Sequence, residues 1–208
     1  MNSPSSYADE TIPKGHVGLR DLQAQDVERI VKYWHFSGTE HLDYMGINRS
    51  LLGSPDDTHK RFYAAIPTGD PNQPSIALSI TLDGIAVGYT LLNQIEPEVN
   101  YSHWHLMDEK VRKSGLSTVL YPHRIKAYFD LTHMARLTHL TRTRNIGVNY
   151  MLDKYVPIAE TRYYERPPGG IGDAGEFHIR YVQRKDVAQI FERAQAVKQS
   201  LFHELKGK

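Results

Sequence analysis

Arg112-Lys113-Ser114-Gly115-Leu116-Ser117 lies between a predicted strand, residues 101–107, and a predicted helix that begins within the quoted stretch. The first amides of a helix have no partner inside the helix, and the helix dipole is positive there, so this turn predicts an anion site. Gly115 allows close backbone approach to a phosphate, and Arg112 and Lys113 add charge. The turn lacks the endings of a P-loop and of a dinucleotide-binding turn. Taken by itself, the pattern also fits a plain connection between a strand and a helix.

Upstream of this turn, the sequence predicts strands and helices in a mixed α/β order. Asp83-Gly84 favours a two-residue type I′ hairpin turn, and residues 76–82 and 85–95 on either side are rich in β-forming side chains. Residues 35–58 contain repeated glycine, asparagine and aspartate, which predicts loops around short helices. The remaining upstream elements are a strand at 17–20 and a helix capped by Asp26.

Downstream of the turn, the predicted helix continues to about Leu131. It is followed by a strand at 137–144, a helix at 146–155, strands at 161–165 and 177–183, and a final helix capped by Asp186. We assign residues 1–15 to a flexible tail, 16–184 to one domain and 185–208 to an amphipathic C-terminal helix. The apolar face of this last helix is expected to pack on its own domain or on a second copy in a homodimer.

The composition is that of an ordinary globular protein. Of the 208 residues, 40% are apolar and 24% are charged. A formal net charge of +1 gives no field that would attract nucleic acid or an anionic membrane, so neither partner is predicted. The chain has no cysteine, which excludes disulfides, thiolate catalysis and cysteine metal ligands. The sequence shows no secretory signal and no long apolar run, which favours a cytoplasmic location.

Two motifs resemble those of the GNAT superfamily of acetyl-CoA-dependent N-acetyltransferases. Arg112-x-x-Gly115-x-Ser117 is similar to the family's Arg/Gln-x-x-Gly-x-Gly/Ala, with one small-residue departure. Asn145-x-x-x-Asn149 is similar to the asparagine motif that opens a later helix, and the resemblance covers about residues 17–183. It implies an α/β GNAT fold: a mixed, mostly antiparallel central sheet of about six to seven strands flanked by helices, here with an extra C-terminal helix.

The resemblance also implies a cofactor site and a reaction. It implies acetyl transfer from acetyl-CoA to a primary amine, directly within a ternary complex. The pyrophosphate would be bound by backbone amides of Arg112, Lys113, Ser114, Gly115, Leu116 and Ser117. Met107 would pair through its backbone with the pantetheine arm, and Asn145 would contact CoA near its thiol end. Asn149, from the same motif, joins these predicted cofactor contacts.

Candidate catalytic residues lie on the strand before the turn. Direct acyl transfer requires a deprotonated amine and a proton for the departing thiolate. Strand alternation places His103 and His105 on one face, and histidine titrates near neutrality, so His103 is the first candidate for the base. His105 is expected to be structural or a hydrogen-bond donor, and both histidines also fit a polar cleft without catalysis. His-x-His lacks the third ligand of a catalytic zinc site, so no metal is predicted.

The general acid is a gap in the resemblance. The family's usual tyrosine aligns with Leu152, and Tyr155 or Tyr150 is the candidate replacement. In this superfamily the acceptor is held by the first helices and the segments after the sixth strand. Those helices offer Trp34, Glu40 and Tyr44, which suit a cationic amine, although these aromatic residues also fit a core position.

The acceptor is predicted to be a small-molecule or peptide amine. Two other functions stay open at this point. A non-catalytic acyl-CoA-binding module of the same fold would bind CoA without turnover. A ligand-binding or interaction domain that has lost CoA would not bind CoA.

Overall fold

The computed structural model describes residues 4–96, 99–168 and 172–206, and an eight-stranded sheet forms its centre. The strands are β1 (Ser6–Ile12), β2 (Gly15–Asp21), β3 (Ser75–Leu82), β4 (Ile85–Glu96), β5 (Val99–Leu106), β6 (Arg136–Arg142), β7 (Glu160–Tyr164) and β8 (Gly175–Gln183). They lie in the order β1-β2-β3-β4-β5-β6-β8-β7, and of these neighbouring pairs β5 and β6 run parallel while the others are antiparallel. The predicted mixed sheet is confirmed, with eight strands where six to seven were expected.

Helices cover both faces of the sheet. They are α1 (Ala24–Phe36), α2 (Thr39–Tyr44), α3 (Pro55–Ala64), α4 (Leu116–Leu131), α5 (Ile146–Asp153) and α6 (Val187–Lys206). Alternate residues of β3 separate two cores: Ile76 and Leu78 join α4, α5 and α6, whereas Ala77 joins α1 and α3. No helix among the described residues is long and apolar enough to cross a membrane.

The first fifteen residues are the main correction to the predicted organisation. They were expected to form a flexible tail, but Ser6–Ile12 forms β1 and pairs antiparallel with β2. Ala8 and Ile12 are buried, and the Tyr7 hydroxyl donates to Asp21 Oδ1 at 2.7 Å. The apolar residues of this strand are few, and they pack against α4, which lies more than a hundred residues later.

Several local predictions are confirmed. Asp83 and Gly84 both have positive φ, 49° and 80°, as a type I′ turn requires. Helix α4 spans Leu116–Leu131, as predicted. Helix α6 packs on α4 of the same chain, and its Ile190 and Leu201 are buried in the core.

The sheet opens between β5 and β6. Tyr101↔Thr138 is the one pair in register between these two parallel strands among the described residues. Beyond that pair, residues 102–106 of β5 and 139–142 of β6 lack a ladder partner across this junction. The strands therefore form a V-shaped cleft, closed near Tyr101 and open toward the loop before α4.

Candidate active site

The loop before α4 is held in shape by its own residues. The Ser114 hydroxyl donates to the Val111 carbonyl at 2.6 Å and accepts from the Leu116 amide at 3.3 Å. Lys113 and Gly115 both have positive φ, 61° and 83°, and Gly115 is the N-cap of α4. The Leu116 amide is therefore used by Ser114, and the next amides of α4 lie beside this tight turn without a partner inside the helix. Backbone amides in such a turn form a concave surface that suits an anion.

Some of the other groups that were predicted to contact the cofactor near the loop already form hydrogen bonds within the protein. The Met107 amide donates to the Val87 carbonyl at 2.9 Å, so any backbone contact of Met107 with pantetheine rests on its carbonyl. Arg112 Nη1 donates to Glu109 Oε1 at 3.0 Å, which keeps the guanidinium beside the loop. Lys113 and Ser117 stay predicted contacts of the anion, Ser117 through its backbone.

Helix α6 lies directly over the turn. A Cβ atom added to Gly115 would lie 2.6 Å from Leu201 Cδ2, which is far closer than atoms approach in folded proteins. Leu201 is itself 7% exposed. The left-handed backbone and the covering side chain therefore both require glycine at this position.

Replacement of Gly115 by alanine is expected to lower the free energy of unfolding by about 2 kcal/mol, because alanine is disfavoured at positive φ and its Cβ would displace Leu201. Urea unfolding measures the loss. Adding Leu201→Ala to this variant separates the two causes, since it removes the collision but keeps the backbone strain. Gly147→Ala in α5 is the control: no atom lies within 4 Å of its added Cβ, and stability between that of wild type and about 1 kcal/mol above it is expected, because alanine is the better helix former. An unchanged Gly115→Ala protein would contradict the described turn.

The two asparagines of the second motif have structural partners. Asn145 caps α5, and its Oδ1 accepts from the Val148 amide at 3.4 Å. Asn149 is 7% exposed, and its Nδ2 donates to the Arg142 carbonyl at 2.8 Å. Its Oδ1 accepts from Thr141 at 2.7 Å and from Arg180 at 3.0 Å. Asn149 thus fixes α5 to the sheet. Its side chain is already used in these hydrogen bonds, so the structure does not support the predicted contact with the cofactor.

His103 lies half-buried on β5, and its imidazole ring has no hydrogen-bond partner among the described residues. Burial, together with the positive charges of Arg61 and Arg124, lowers the pKa of His103 to about 4. The imidazole is therefore neutral at pH 7 and can accept a hydrogen bond. Its ring lies on the same face of the sheet as α1 and α3, because residues 103 and 105 share one face and His105 contacts α1.

His105 is a packing residue, and the prediction that it belongs to the catalytic set is not supported. Its ring stacks on Tyr89 with the centroids 5.1 Å apart, and it meets the edge of Trp34 at 4.9 Å. Its Nδ1 lies 3.4 Å from the Tyr33 hydroxyl. This enclosure by aromatic side chains agrees with the structural role that was also expected for His105.

Tyr155 also has a structural position, which corrects its prediction as the general acid. It is 2% exposed, its hydroxyl donates to the Thr118 carbonyl at 2.8 Å, and its ring stacks on Tyr121 at 4.7 Å. The sequence reasoning missed Tyr121, whose hydroxyl lies 2.9 Å from Nε2 of His139 on β6. Burial raises the pKa of the Tyr121 hydroxyl, so the phenol keeps its proton. Tyr121 is thus a buried phenol whose hydroxyl contacts β6 at His139.

The residues that were predicted to bind the acceptor amine do not share one environment. Trp34 is 4% exposed, and its indole Nε1 donates to the Tyr89 hydroxyl at 2.9 Å, so it belongs to the core under α1. Glu40 is exposed on α2, and the Tyr44 side chain lies outside the described residues. Arg61 of α3 is exposed and close enough to His103 to lower its pKa. Arg61 therefore contributes positive charge near His103.

Comparison with known proteins gives matches among solved structures. No protein-family model matches the chain, and no curated protein matches its sequence. RimJ from Mycobacterium smegmatis, solved in complex with CoA-disulfide, superposes with a TM-score of 0.71 at 13% identity, covering 94% of this chain and 95% of that one. RimL, a ribosomal L7/L12 α-N-protein acetyltransferase solved with coenzyme A, gives 0.66 at 14% identity over 86% and 98%.

A third similar structure is the microcin C7 self-immunity acetyltransferase MccE in complex with acetyl-CoA and AMP. It gives a TM-score of 0.60 at 13% identity, covering 82% of this chain and 97% of that one. All three likenesses extend over most of both chains at low identity. They show that this chain has the fold of the GNAT acetyltransferases.

Proposed function

We propose that this protein is an N-acyltransferase that moves an acyl group, acetyl in the simplest case, from acyl-CoA to a primary amine. The observation that carries the proposal is the cleft between β5 and β6, which opens onto the glycine turn at the N-terminus of α4. An extended thioester with a pyrophosphate at one end suits such a cleft, because the anion meets the helix amides and the acyl end meets β5. No metal is part of the proposal.

The residues present fit the phosphate end of CoA. Lys113 and Arg112 provide charge beside the amides of the turn, and Arg112 is held there by Glu109. Asn145 has its Oδ1 on the α5 cap, which leaves its amide nitrogen as the donor for the pantetheine arm. These groups would bind and orient the co-substrate, while the chemistry takes place further down β5.

In the proposed reaction, the amine nitrogen attacks the thioester carbonyl carbon and the carbon–sulfur bond breaks. His103 accepts a hydrogen bond from the amine, and this bond directs the lone pair of the amine nitrogen toward the carbonyl carbon. With a pKa of about 4, His103 holds the amine proton only briefly before water takes it. The proton that water takes from the amine then passes to the departing thiolate, and Tyr121, coupled to His139, is the proposed last donor on that path, so that its own proton is replaced. The net change is one proton moved from the amine to CoA.

The acceptor is proposed to be a small-molecule or peptide amine. RimL acts on the α-amine of a ribosomal protein according to its name, which supports a peptide amine as one of the two acceptor classes. Exposed Glu40 on α2 is retained as the candidate partner for the ammonium form of the amine. We expect no nucleic-acid or membrane partner, since the net charge is only +1, and we propose that the protein works in the cytoplasm.

A non-catalytic acyl-CoA-binding module is the second candidate. It is favoured by the state of the customary acid position, where Leu152 is buried and the nearby Tyr155 hydroxyl already donates to Thr118. This alternative predicts CoA binding without amine-dependent release of thiol. The two candidates therefore predict the same binding of CoA and differ only in whether addition of an amine releases the thiol.

Isothermal titration with CoA tests the common basis of both candidates. We expect CoA and acetyl-CoA to bind with micromolar affinity, and pantetheine to bind at least tenfold more weakly because it lacks the pyrophosphate that meets the α4 amides. A variant that carries Arg112→Ala and Lys113→Ala is expected to weaken CoA but not pantetheine. Absence of CoA binding at millimolar ligand would contradict the proposed function and leave only the fold.

A further inference from the structure

Three buried hydrogen-bond donors without an acceptor belong to β5 and to the helix packed on that face, α4. They are Ser102 Oγ, Trp104 Nε1 and Arg124 Nε, and none of these atoms has a partner among the described residues. Ser102 and Trp104 share the face of β5 that points toward α4, and Arg124 of α4 lies over the Trp104 ring at 4.9 Å. Native proteins leave few such groups unpaired, so a cluster of them indicates a ligand that accepts hydrogen bonds.

Arg124 is the most demanding member of this cluster. It is 2% exposed, and no carboxylate of the described residues forms an ion pair or a hydrogen bond with it. The rings of Trp104 and Tyr121, the latter at 5.1 Å, stabilise the guanidinium only in part, because cation–π contacts are weaker than the lost hydration. An anion is the missing partner.

Arg180 shows how the charge of a buried arginine is balanced in the same fold, although its Nε, like that of Arg124, has no hydrogen-bond partner among the described residues. It is 0% exposed, yet it donates to Thr141 at 3.1 Å, to Asn149 at 3.0 Å and to Asp153 at 2.5 Å. The carboxylate of Asp153 balances its charge. Arg124 has no equivalent, although both side chains are enclosed to the same degree.

The position of Arg124 connects it to the reacting end of the cleft. Trp104 lies on β5 beyond the last pair in register, and Tyr121 reaches β6 through His139. The guanidinium therefore lies beneath the separation of the two strands. Its charge also reaches His103 on the other face of β5 and contributes to lowering the pKa of that residue.

We propose that the acyl group taken by this protein ends in a carboxylate, so that the co-substrate is a dicarboxylic monoacyl-CoA such as succinyl-CoA. The terminal carboxylate would pair with Arg124 and accept hydrogen bonds from Trp104 and Ser102. The inference rests on the proposed function, since it names the substrate class of the same cleft. The amine nitrogen forms an amide bond with the thioester carbonyl, the bond to sulfur breaks, CoA leaves with the amine proton, and the distal carboxylate is unchanged.

Titration with succinyl-CoA and butyryl-CoA tests this inference, because the two acyl chains have four carbons each and differ in the terminal carboxylate. Wild-type protein is expected to bind succinyl-CoA at least tenfold more tightly than butyryl-CoA. Arg124→Met is expected to abolish that preference while CoA affinity stays within twofold. Arg124→Lys, which keeps the charge, is expected to retain part of it.

The outcomes separate the two proposals. If CoA itself fails to bind, the proposed function and this inference both fall. If CoA binds but wild-type protein binds butyryl-CoA as tightly as succinyl-CoA, this inference alone is overturned. This inference is also overturned if Arg124→Met weakens the binding of CoA, succinyl-CoA and butyryl-CoA by the same factor, because that result would show a purely structural role for Arg124. The variant is expected to keep or raise the melting temperature, because methionine removes an uncompensated buried charge; should it not fold, the wild-type ratio still decides.

Discussion

Replacement of His103 by alanine is expected to reduce amine-dependent turnover by about 10²-fold or more, with CoA affinity unchanged. The His103 ring has no hydrogen-bond partner in the described part of the chain and is neutral at pH 7, so it is available to accept a hydrogen bond from the amine. Its loss leaves the glycine turn and α4 intact. The effect therefore falls on the chemical step and leaves binding of the co-substrate as it was.

Release of CoA can be followed with a thiol reagent, since the chain has no cysteine of its own to react. An amine screen with acetyl-CoA and succinyl-CoA supplies the acceptor for the assay. His16→Ala is the control, because His16 is an exposed histidine on β2, far from β5 in the strand order. Turnover of His103→Ala equal to that of the control would remove His103 from the mechanism.

The pH dependence gives a second reading of the same residue. Because the pKa of His103 is about 4, its protonation state does not change between pH 5 and 8. The rate should then rise with pH as the acceptor amine loses its own proton. An inflection of the rate near pH 6.5 that disappears in His103→Ala would show that His103 titrates with an ordinary histidine pKa, and it would contradict this prediction.

Local chemistry explains which parts of this site were predictable. The turn before α4 depends on Gly115 and on the hydroxyl of Ser114, which contacts residues two and three positions away. The hairpin at Asp83-Gly84 likewise depends on two adjacent backbone angles. Such features are encoded within a few residues, so sequence spacing alone is enough to place them.

The side-chain roles depend on distant partners and were therefore missed or misplaced. Asn149 sits in the expected motif, but its hydrogen bond to Arg180, 31 residues later, makes it structural. His105 is enclosed by Trp34 and Tyr89, which come from α1 and β4. On a helix, Arg124 has the sequence pattern of a solvated charge, and only the packing of β5 against α4 shows that it is buried.

A second buried ionic group stabilises the opposite end of the sheet. Asp26 is 4% exposed, and its carboxylate accepts both Arg20 nitrogens, at 2.7 Å and 3.1 Å. It also accepts from Ser79 at 2.6 Å and from the Gln23 amide at 3.0 Å, which completes the capping box of α1. One carboxylate thus joins β2, β3 and the start of α1.

Asp26→Ala is expected to lower the free energy of unfolding at pH 7 by about 3 kcal/mol, because it leaves the Arg20 guanidinium and the α1 cap without their acceptor. Chemical unfolding measures this loss. Asp57→Ala is the matched control: Asp57 holds the same place in the capping box of α3 but is exposed, so its loss should be much smaller.

The loss caused by Asp26→Ala should also depend on pH. Burial by itself raises the pKa of Asp26, but the hydrogen bonds from Arg20, Ser79 and Gln23 outweigh it, and the pKa is lowered from its ordinary value. A carboxylate of this kind adds stability above its unfolded pKa of about 3.9, and that stability disappears as the pH falls through the folded pKa. The difference between wild type and variant should therefore shrink below about pH 4. A difference of the same size at pH 7 and pH 3 would mean that Asp26 acts through packing and not through its charge.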